Sequence, residues 1–105
     1  GSLFFDEADA VCGKITNVIF IDKDELEFPL TIRKPEVGDV FYPLGMTGKK
    51  KVSKYFKDEK MSLIDKENTW LLCSNKEIVW VINRRADNRF KVTNKTKHIL
   101  KIELK

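Results

Sequence analysis

Few residues of this chain have the types and spacing that catalysis requires. His98 is its single histidine, and a lone histidine at the start of a strand is more often structural or exposed than catalytic. Asp39 and Asp87 each follow or precede arginines in a loop, where they could act as a general acid and a general base. Holding a guanidinium group or orienting the loop is the more common role of such carboxylates. These residues favour a binding module over a self-contained active site.

The other motifs of catalytic and metal-binding chains are missing from the sequence. No serine stands in a nucleophile elbow, and Gly38, Gly45 and Gly48 are too widely spaced for a phosphate-binding GxGxxG loop. Cys12 and Cys73 lack the Cys/His spacing of a zinc site, so we expect two reduced structural thiols. We therefore expect no catalytic residue, metal site or cofactor within these residues.

Basic residues offer a binding chemistry instead. The net charge of +4 combines a net −5 over residues 1–30 with a net +9 over residues 31–105. Such an imbalance favours an anionic partner, nucleic acid above all. Arg84, Arg85 and Arg89 form one basic group, and arginine can offer two donors to one phosphate. An internal ion pair with Asp87 or Asp39 explains the same arginines equally well.

A second basic group surrounds a short helix predicted over residues 50–57. Val52, Tyr55 and Phe56 have the i, i+3, i+4 spacing of a face that packs on a core. On the opposite side, three lysines share an arc of about 60°, and Lys49, Lys51 and Lys60 flank them. We call five of these residues the lysine face: Lys49, Lys50, Lys51, Lys54 and Lys57.

The lysine face contains no acid before Asp58. A stripe of one sign repels itself and usually has an anionic partner, although an ordinary solvated surface is the alternative. Tyr42, Tyr55, Trp70 and Trp80 could stack on unpaired bases, but aromatic residues in strands and on helix faces are more often core. Recognition of shape and backbone phosphates is therefore favoured over reading of unpaired bases.

The remaining elements are mostly strands. Alternation over residues 26–32 predicts a half-buried strand, which Pro29 restricts to a sheet edge or a bulge. A further strand is predicted at 15–21, hairpins around 74–77 and 94–97, and another turn of helix at 61–67. These elements predict a single compact, β-rich α+β domain with six to seven mostly antiparallel strands and one or two short helices packed on them.

The length of 105 residues suits one domain with one core. Gly1-Ser2 are interpreted as a cloning remnant, and the lack of an initiator Met is typical of a piece of a longer protein. We assign residues 1–23 to a connecting segment with the first strand and residues 24–105 to the domain proper. No apolar run approaches a membrane span and no signal peptide is evident, so we expect no membrane partner and a cytoplasmic location.

Five short motifs occur in a fixed order between residues 26 and 104. They are Arg33-x-x-x-x-Gly38-Asp39, Pro43-Leu-Gly-Met-x-Gly-x-Lys-Lys51, Phe56-x-Asp58-x-Lys60, Ile78-Val-Trp-Val81 and Asp87-x-Arg89-Phe-x-Val92. Together they resemble the C-terminal domain of tRNA(Ile)-lysidine synthase. That resemblance implies a parent enzyme that uses ATP to adenylate the first anticodon cytidine of a minor isoleucine tRNA and joins lysine to it.

In this family, ATP, Mg²⁺ and the chemistry belong to an N-terminal catalytic domain with a Ser-Gly-Gly-x-Asp-Ser loop, which this sequence lacks. The C-terminal domain contributes to tRNA binding toward the acceptor stem. The resemblance therefore implies an inert docking domain whose partners are isoleucine tRNA and the catalytic domain of the same polypeptide. The alternative is a structural domain whose lysine face docks on an acidic surface of the parent enzyme and orients the catalytic domain. Within this chain, the acidic residues 6–9 and 22–27 could already provide such an acidic surface.

The expected residue roles follow from this resemblance and from the basic groups. The expected tRNA-binding residues are Arg33, Lys49, Lys50, Lys51, Lys54, Lys57, Arg84, Arg85 and Arg89. The expected loop-shaping residues are Gly38, Asp39, Gly45, Gly48 and Asp87. The sequence departs from the family at Ser62, where Pro is common, at Lys66, where Arg is common, and at Asn83, where Gly often stands. Asn tolerates a left-handed backbone, so the turn at Asn83 can survive.

Overall fold

A computed structural model describes residues 2–8 and 17–104. The strands are β1 (Leu3–Ala8), β2 (Val18–Asp22), β3 (Leu30–Arg33), β4 (Val40–Phe41), β5 (Lys50–Lys51), β6 (Leu71–Ser74), β7 (Glu77–Val81), β8 (Arg85–Ala86) and β9 (Ile99–Leu104). The helices are α1 (Val52–Asp58) and α2 (Leu63–Glu67), with 3-10 helices at Lys23–Glu25 and Asn88–Phe90. The predicted β-rich α+β class is confirmed, with all pairs of these strands antiparallel.

Three layers make up the domain. A first sheet has the order β1-β9-β2, a central sheet has the order β3-β6-β7-β8, and β4 pairs with β5. Successive residues of β6 point to opposite faces of the central sheet, as strand geometry requires. Leu72 packs with Ile102 of the first sheet, whereas Leu71 packs with Val52 of α1. The central sheet is therefore covered on both faces, and α1 lies on the side away from the first sheet.

The first predicted hairpin is confirmed and the second is wrong. Strands β6 and β7 pair around the turn that begins at Asn75, which has a left-handed backbone (φ 55°). β9 instead lies between β1 and β2 and does not return along residues 90–93. Phe90 is buried in the core at the end of a 3-10 helix, so its segment crosses from the central sheet to the first sheet.

The strand expected at 26–32 forms only at its end, as β3. Leu26 is buried, but Phe28 is 67% exposed and Ile32 is 49% exposed, so the predicted buried face is wrong at these two positions. The N–H of Glu27 donates to the hydroxyl of Ser74, and this hydroxyl donates to the carbonyl of Glu27. At Glu27 the backbone is therefore bonded by a side chain and not by a neighbouring strand. β3 is an edge strand, as Pro29 indicated. The strand expected at 15–21 is β2, while residues 15 and 16 lie outside the described part.

Both helices occur close to their predicted positions. The expected buried face of α1 is confirmed, because Val52, Tyr55 and Phe56 are each at most 5% exposed. The helix begins at Val52 rather than at residue 50, since Lys50 and Lys51 pair with Val40 and Phe41 as β5. The extra turn of helix is α2, which begins with a reciprocal capping box between Ser62 and Asp65.

Candidate nucleic-acid interface

The turn before α1 presents the lysine face. Gly45 and Gly48 have left-handed backbones, with φ of 82° and 76°, a conformation that favours glycine. From this turn the chain enters β5 and then α1, whose first N–H donates to the carbonyl of Asp39 at 2.9 Å. Lys49, Lys51, Lys54 and Lys57 are exposed, while Lys50 is half-buried. Lys50 and Lys51 lie on β5 and not on the helix, whereas Lys54 and Lys57 lie on α1. The carboxylate of Asp58 brings Lys50 and Lys54 together.

Asp58 partly neutralises the lysine face, an effect that the charge pattern of the sequence did not reveal. Its carboxylate lies 2.5 Å from the Lys50 ammonium and 3.2 Å from the Lys54 ammonium. These two lysines lower the pKa of Asp58 below its usual range, Lys50 most strongly. Among the described residues, the ammonium groups of Lys49, Lys51 and Lys57 have no ion-pair or hydrogen-bond partner. They are the cations most available to an anionic ligand.

Arg33 and Asp39 hold the first motif loop together. The guanidinium donates to both oxygens of Asp39 at 2.8 Å, and Asp39 also accepts the N–H of Glu36 at 2.7 Å. The hydrogen bonds from Arg33 hold the pKa of Asp39 below its usual value, against a smaller opposing effect of burial. About a third of the Arg33 side chain remains exposed (32%). Its donors are largely used inside the loop.

A second, fully buried carboxylate anchors the late loop. Asp87 accepts the N–H of Tyr42 at 2.9 Å and the N–H of Arg89 at 2.8 Å. The guanidinium of Arg89 donates to both of its oxygens at 3.0 Å and stacks 4.4 Å from the ring centre of Tyr42. Burial alone would lower the pKa of Arg89, but its bonds to Asp87 raise it overall. This is one of the internal pairs that the sequence left open.

The other two arginines are also engaged within the domain. Arg84 lies 3.8 Å from the carboxylate of Asp65. Arg85 donates to the carbonyl of Leu44 at 2.9 Å, and its buried Nε has no hydrogen-bond partner among the described atoms. The expected arginine group is therefore divided among separate internal contacts, whereas Lys49, Lys51 and Lys57 make no such contact among the described residues.

One aromatic residue differs from the others. Trp80 and Tyr55 are buried core residues, at 1% and 2% exposure, but Trp70 is 44% exposed. The Lys34 ammonium lies 4.3 Å from the Trp70 ring centre. Trp70 directly precedes β6, so in the sequence it looks like part of the buried strand. The sequence pattern therefore did not distinguish Trp70 from the core residues.

The remaining candidates have no arrangement that suggests catalysis. His98 is exposed and lies 3.1 Å from the carboxylate of Asp24. Cys73 is a free, buried thiol whose pKa is raised by burial, and Cys12 falls outside the described residues. Within the described residues, no group of three or more potential metal-binding side chains exists. Those residues also contain no helix long and apolar enough to cross a membrane.

A family profile described as "TilS substrate C-terminal domain" matches residues 30–104. The chain is 52% identical over 87 residues to a tRNA(Ile)-lysidine synthase of Parabacteroides distasonis, covering 83% of this chain and 20% of that protein. It is 46% identical over 79 residues to the enzyme of that name from Bacteroides thetaiotaomicron, covering 75% and 18%. The chain thus spans about a fifth of the length of these relatives.

The fold is also found in two solved structures. A crystal structure of a TilS C-terminal domain aligns with a TM-score of 0.79 at 17% identity, covering 96% of this chain and 78% of that one. An N-terminal fragment of the phenylalanyl-tRNA synthetase β-subunit from Pyrococcus horikoshii aligns with a TM-score of 0.68 at 16% identity, covering 81% and 27%. At such identities the likeness establishes the shared fold alone.

Proposed function

We propose a function from one established premise: this chain belongs to the family of TilS substrate C-terminal domains. On that premise, we infer that it is the tRNA-docking domain of a tRNA(Ile)-lysidine synthase and binds isoleucine tRNA on the acceptor-stem side. The relatives that carry this enzyme name are about five times longer, which supports a parent protein of the same kind. The domain itself would perform no chemistry.

The lysine face is the observation that carries this proposal. Lys49, Lys51 and Lys57 are exposed and have no acidic partner among the described residues, and Lys54 shares Asp58 with Lys50. The guanidinium groups of Arg33 and Arg89 are about a third exposed and held in internal pairs, so they have fewer donors left for phosphate than these ammonium groups have. We therefore assign phosphate contact chiefly to the lysines. Arg33 and Arg89 would support binding mainly by fixing the loops beside Asp39 and Asp87.

The chemistry of the parent enzyme is part of the same proposal. ATP and Mg²⁺ would be bound by a catalytic domain outside these 105 residues, which would join lysine to the anticodon cytidine in the cytoplasm. Within this chain, the role of the lysine face is to hold a remote part of the same tRNA. Each phosphate that it neutralises releases about one condensed counterion, so binding should weaken steeply with added salt.

A charge-reversal experiment tests the lysine face. The variant Lys51→Glu/Lys57→Glu and the matched variant Lys95→Glu/Lys97→Glu change the net charge equally, and all four lysines are exposed. Fluorescence anisotropy with an isoleucine tRNA transcript at about 50 mM salt should show that tRNA affinity falls roughly tenfold or more for the first variant only. Equal losses in both variants would mean non-specific attraction. Thermal melts establish that both variants are folded.

A structural role in orienting the catalytic domain is the second candidate. It is favoured by a different surface, an apolar groove of about 640 Å³ between β1 and β3 that includes Phe5, Phe28 and Ile32. Exposed apolar patches commonly mark protein contacts. Unchanged tRNA affinity after lysine reversal, with association between this domain and its parent enzyme weakened by Phe28→Ser in the groove, would support this candidate over tRNA docking.

A further inference from the structure

A mixed polar and apolar cavity of about 760 Å³ lies at the open end of the β6–β7 hairpin. Trp70 leads into β6, and Ile82 and Asn83 follow β7, so the hairpin ends form one wall. Leu3 and Leu104 of the first sheet form part of the opposite wall. The volume lies within the roughly 300–1,000 Å³ typical of pockets for small organic groups. It is a separate place from the lysine face, since none of those lysines lines it.

Three asparagines supply the polar part of this cavity. The amide of Asn17 donates to the carbonyl of Leu104 at 3.2 Å. The side-chain amides of Asn68 and Asn83 make no hydrogen bond within the described residues. Asn68 caps the end of α2 through its backbone, and Asn83 has a left-handed backbone with φ of 64°, so both positions are fixed while both amides stay available. Each amide offers donors and an acceptor.

Trp70 gives the cavity an aromatic wall. Its side chain is 44% exposed, and Lys34, which lies over the ring, is not among the residues that line the cavity. Stacking of a base on an aromatic side chain is tolerant of sequence, because every base has a π-face. None of the described residues that line the cavity is charged, so these side chains offer no cation to a phosphate placed inside. The complementary group is neutral and planar and has hydrogen-bonding edges.

We propose that this cavity binds one unpaired nucleobase of the RNA that docks on the lysine face. The inference rests on the proposed tRNA-docking function and adds a base-binding subsite to it. The base would stack on Trp70 and offer its edge to the amides of Asn68 and Asn83. A paired base is not suitable, since its edge and faces are already used in the duplex. An apolar protein segment would leave the amides buried without partners, which makes it the poorer occupant.

The test compares two RNA hairpins that share an acceptor-stem duplex, one blunt and one with a short unpaired 3′ end. Binding of this chain is measured by anisotropy and by tryptophan fluorescence, where Trp80 is buried at 1% exposure and only Trp70 can be quenched by contact. We expect tighter binding of the hairpin with the unpaired end. Trp70→Ala should remove that preference by lowering the affinity for the hairpin with the unpaired end about fivefold or more. The affinity for the blunt hairpin should stay the same.

Two further variants keep the test independent of folding. Trp70→Phe retains an aromatic face and should restore part of the preference, which a merely structural role would not predict. Asn83→Gly removes one amide at a position whose backbone suits glycine, and it should reduce the preference without lowering the melting temperature.

Equal binding of both hairpins, weakened in both by lysine reversal, would overturn the base subsite and leave tRNA docking intact. Absence of binding to either hairpin would overturn both proposals. Concentration-dependent dimers that disappear in Trp70→Ala would show that a second copy fills the cavity, which would also overturn the base subsite.

Discussion

Removal of the Asp87 carboxylate should damage this domain severely. The carboxylate is fully buried and accepts bonds of 2.8–3.0 Å from Tyr42 and Arg89. Asp87→Ala leaves these donors unpaired, and breaking a buried charge pair costs about 3–5 kcal/mol. Because 34% of the Arg89 side chain remains exposed, water can solvate part of it, so we expect the lower end, about 3 kcal/mol. For a domain of this size, that loss lowers Tm by roughly 12–24 °C.

Urea unfolding of Asp87→Ala, Asp87→Asn, Arg89→Ala and the Asp87→Ala/Arg89→Ala double variant measures this contribution. Asn retains an acceptor for the backbone N–H groups, so its loss should be about half that of Ala. The stability losses of Asp87→Ala and Arg89→Ala, added together, should exceed the stability loss of the double variant by about 1–3 kcal/mol. This difference is the coupling expected of groups in direct contact. A loss below about 1 kcal/mol for Asp87→Ala, or fully additive losses, would refute the assigned role of the pair.

Three further outcomes follow from the described contacts. Asp58→Asn removes the acid that Lys50 and Lys54 share, so tRNA affinity at low salt should rise up to about fivefold; an unchanged Kd by anisotropy would contradict a role for this surface. The lowered pKa of Asp39 contributes stability that is present above the unfolded pKa of about 3.9 and is lost as the pH falls through the folded pKa. The deficit of Asp39→Asn in urea unfolding should therefore shrink on acidification from about pH 6 to pH 3, and a constant deficit would refute this. Gly48→Ala should cost about 1–2 kcal/mol from backbone strain alone, since no atom lies within 4 Å of an added Cβ; a thermal melt equal to that of the parent chain would contradict this.

Local patterns in the sequence identified most of the elements. The spacing of Val52, Tyr55 and Phe56 predicted the buried face of α1, and the run around 74–77 predicted the β6–β7 hairpin. Both signals depend on residues close together in the chain, where side-chain periodicity follows directly from helix or strand geometry.

Pairing between distant segments was not accessible in the same way. The position of β9 between β1 and β2 depends on pairs of residues that lie between 77 (Asp22 and Ile99) and 101 (Leu3 and Leu104) positions apart, which no local pattern encodes. Phe28 precedes the edge strand β3 and Ile32 lies on it, and both are exposed, because which side chains become covered depends on the topology and not on the alternation. A period of two predicts which side chains share a face but not whether that face is covered.

The candidate site was predictable in composition but not in detail. The sequence identified the lysines and left open whether the arginines pair internally. Helical projection placed Lys50 on α1, although its pairing with Phe41 places it on β5. The separation of Asp58 from Lys50 by eight residues concealed their ion pair, which depends on the turn from β5 into α1. The exposure of Trp70 beside its cavity likewise required the structure.

The salt dependence of tRNA binding tests the central claim most directly. This chain is titrated with an isoleucine tRNA transcript between about 50 and 200 mM salt, alongside Lys57→Gln and the control Lys97→Gln. With three to four phosphates neutralised by the exposed lysines, the slope of log K against log salt should be about −3, and Lys57→Gln should reduce its magnitude by about one. A slope that Lys97→Gln reduces as much as Lys57→Gln does, or no binding at the lowest salt, would contradict tRNA docking by the lysine face.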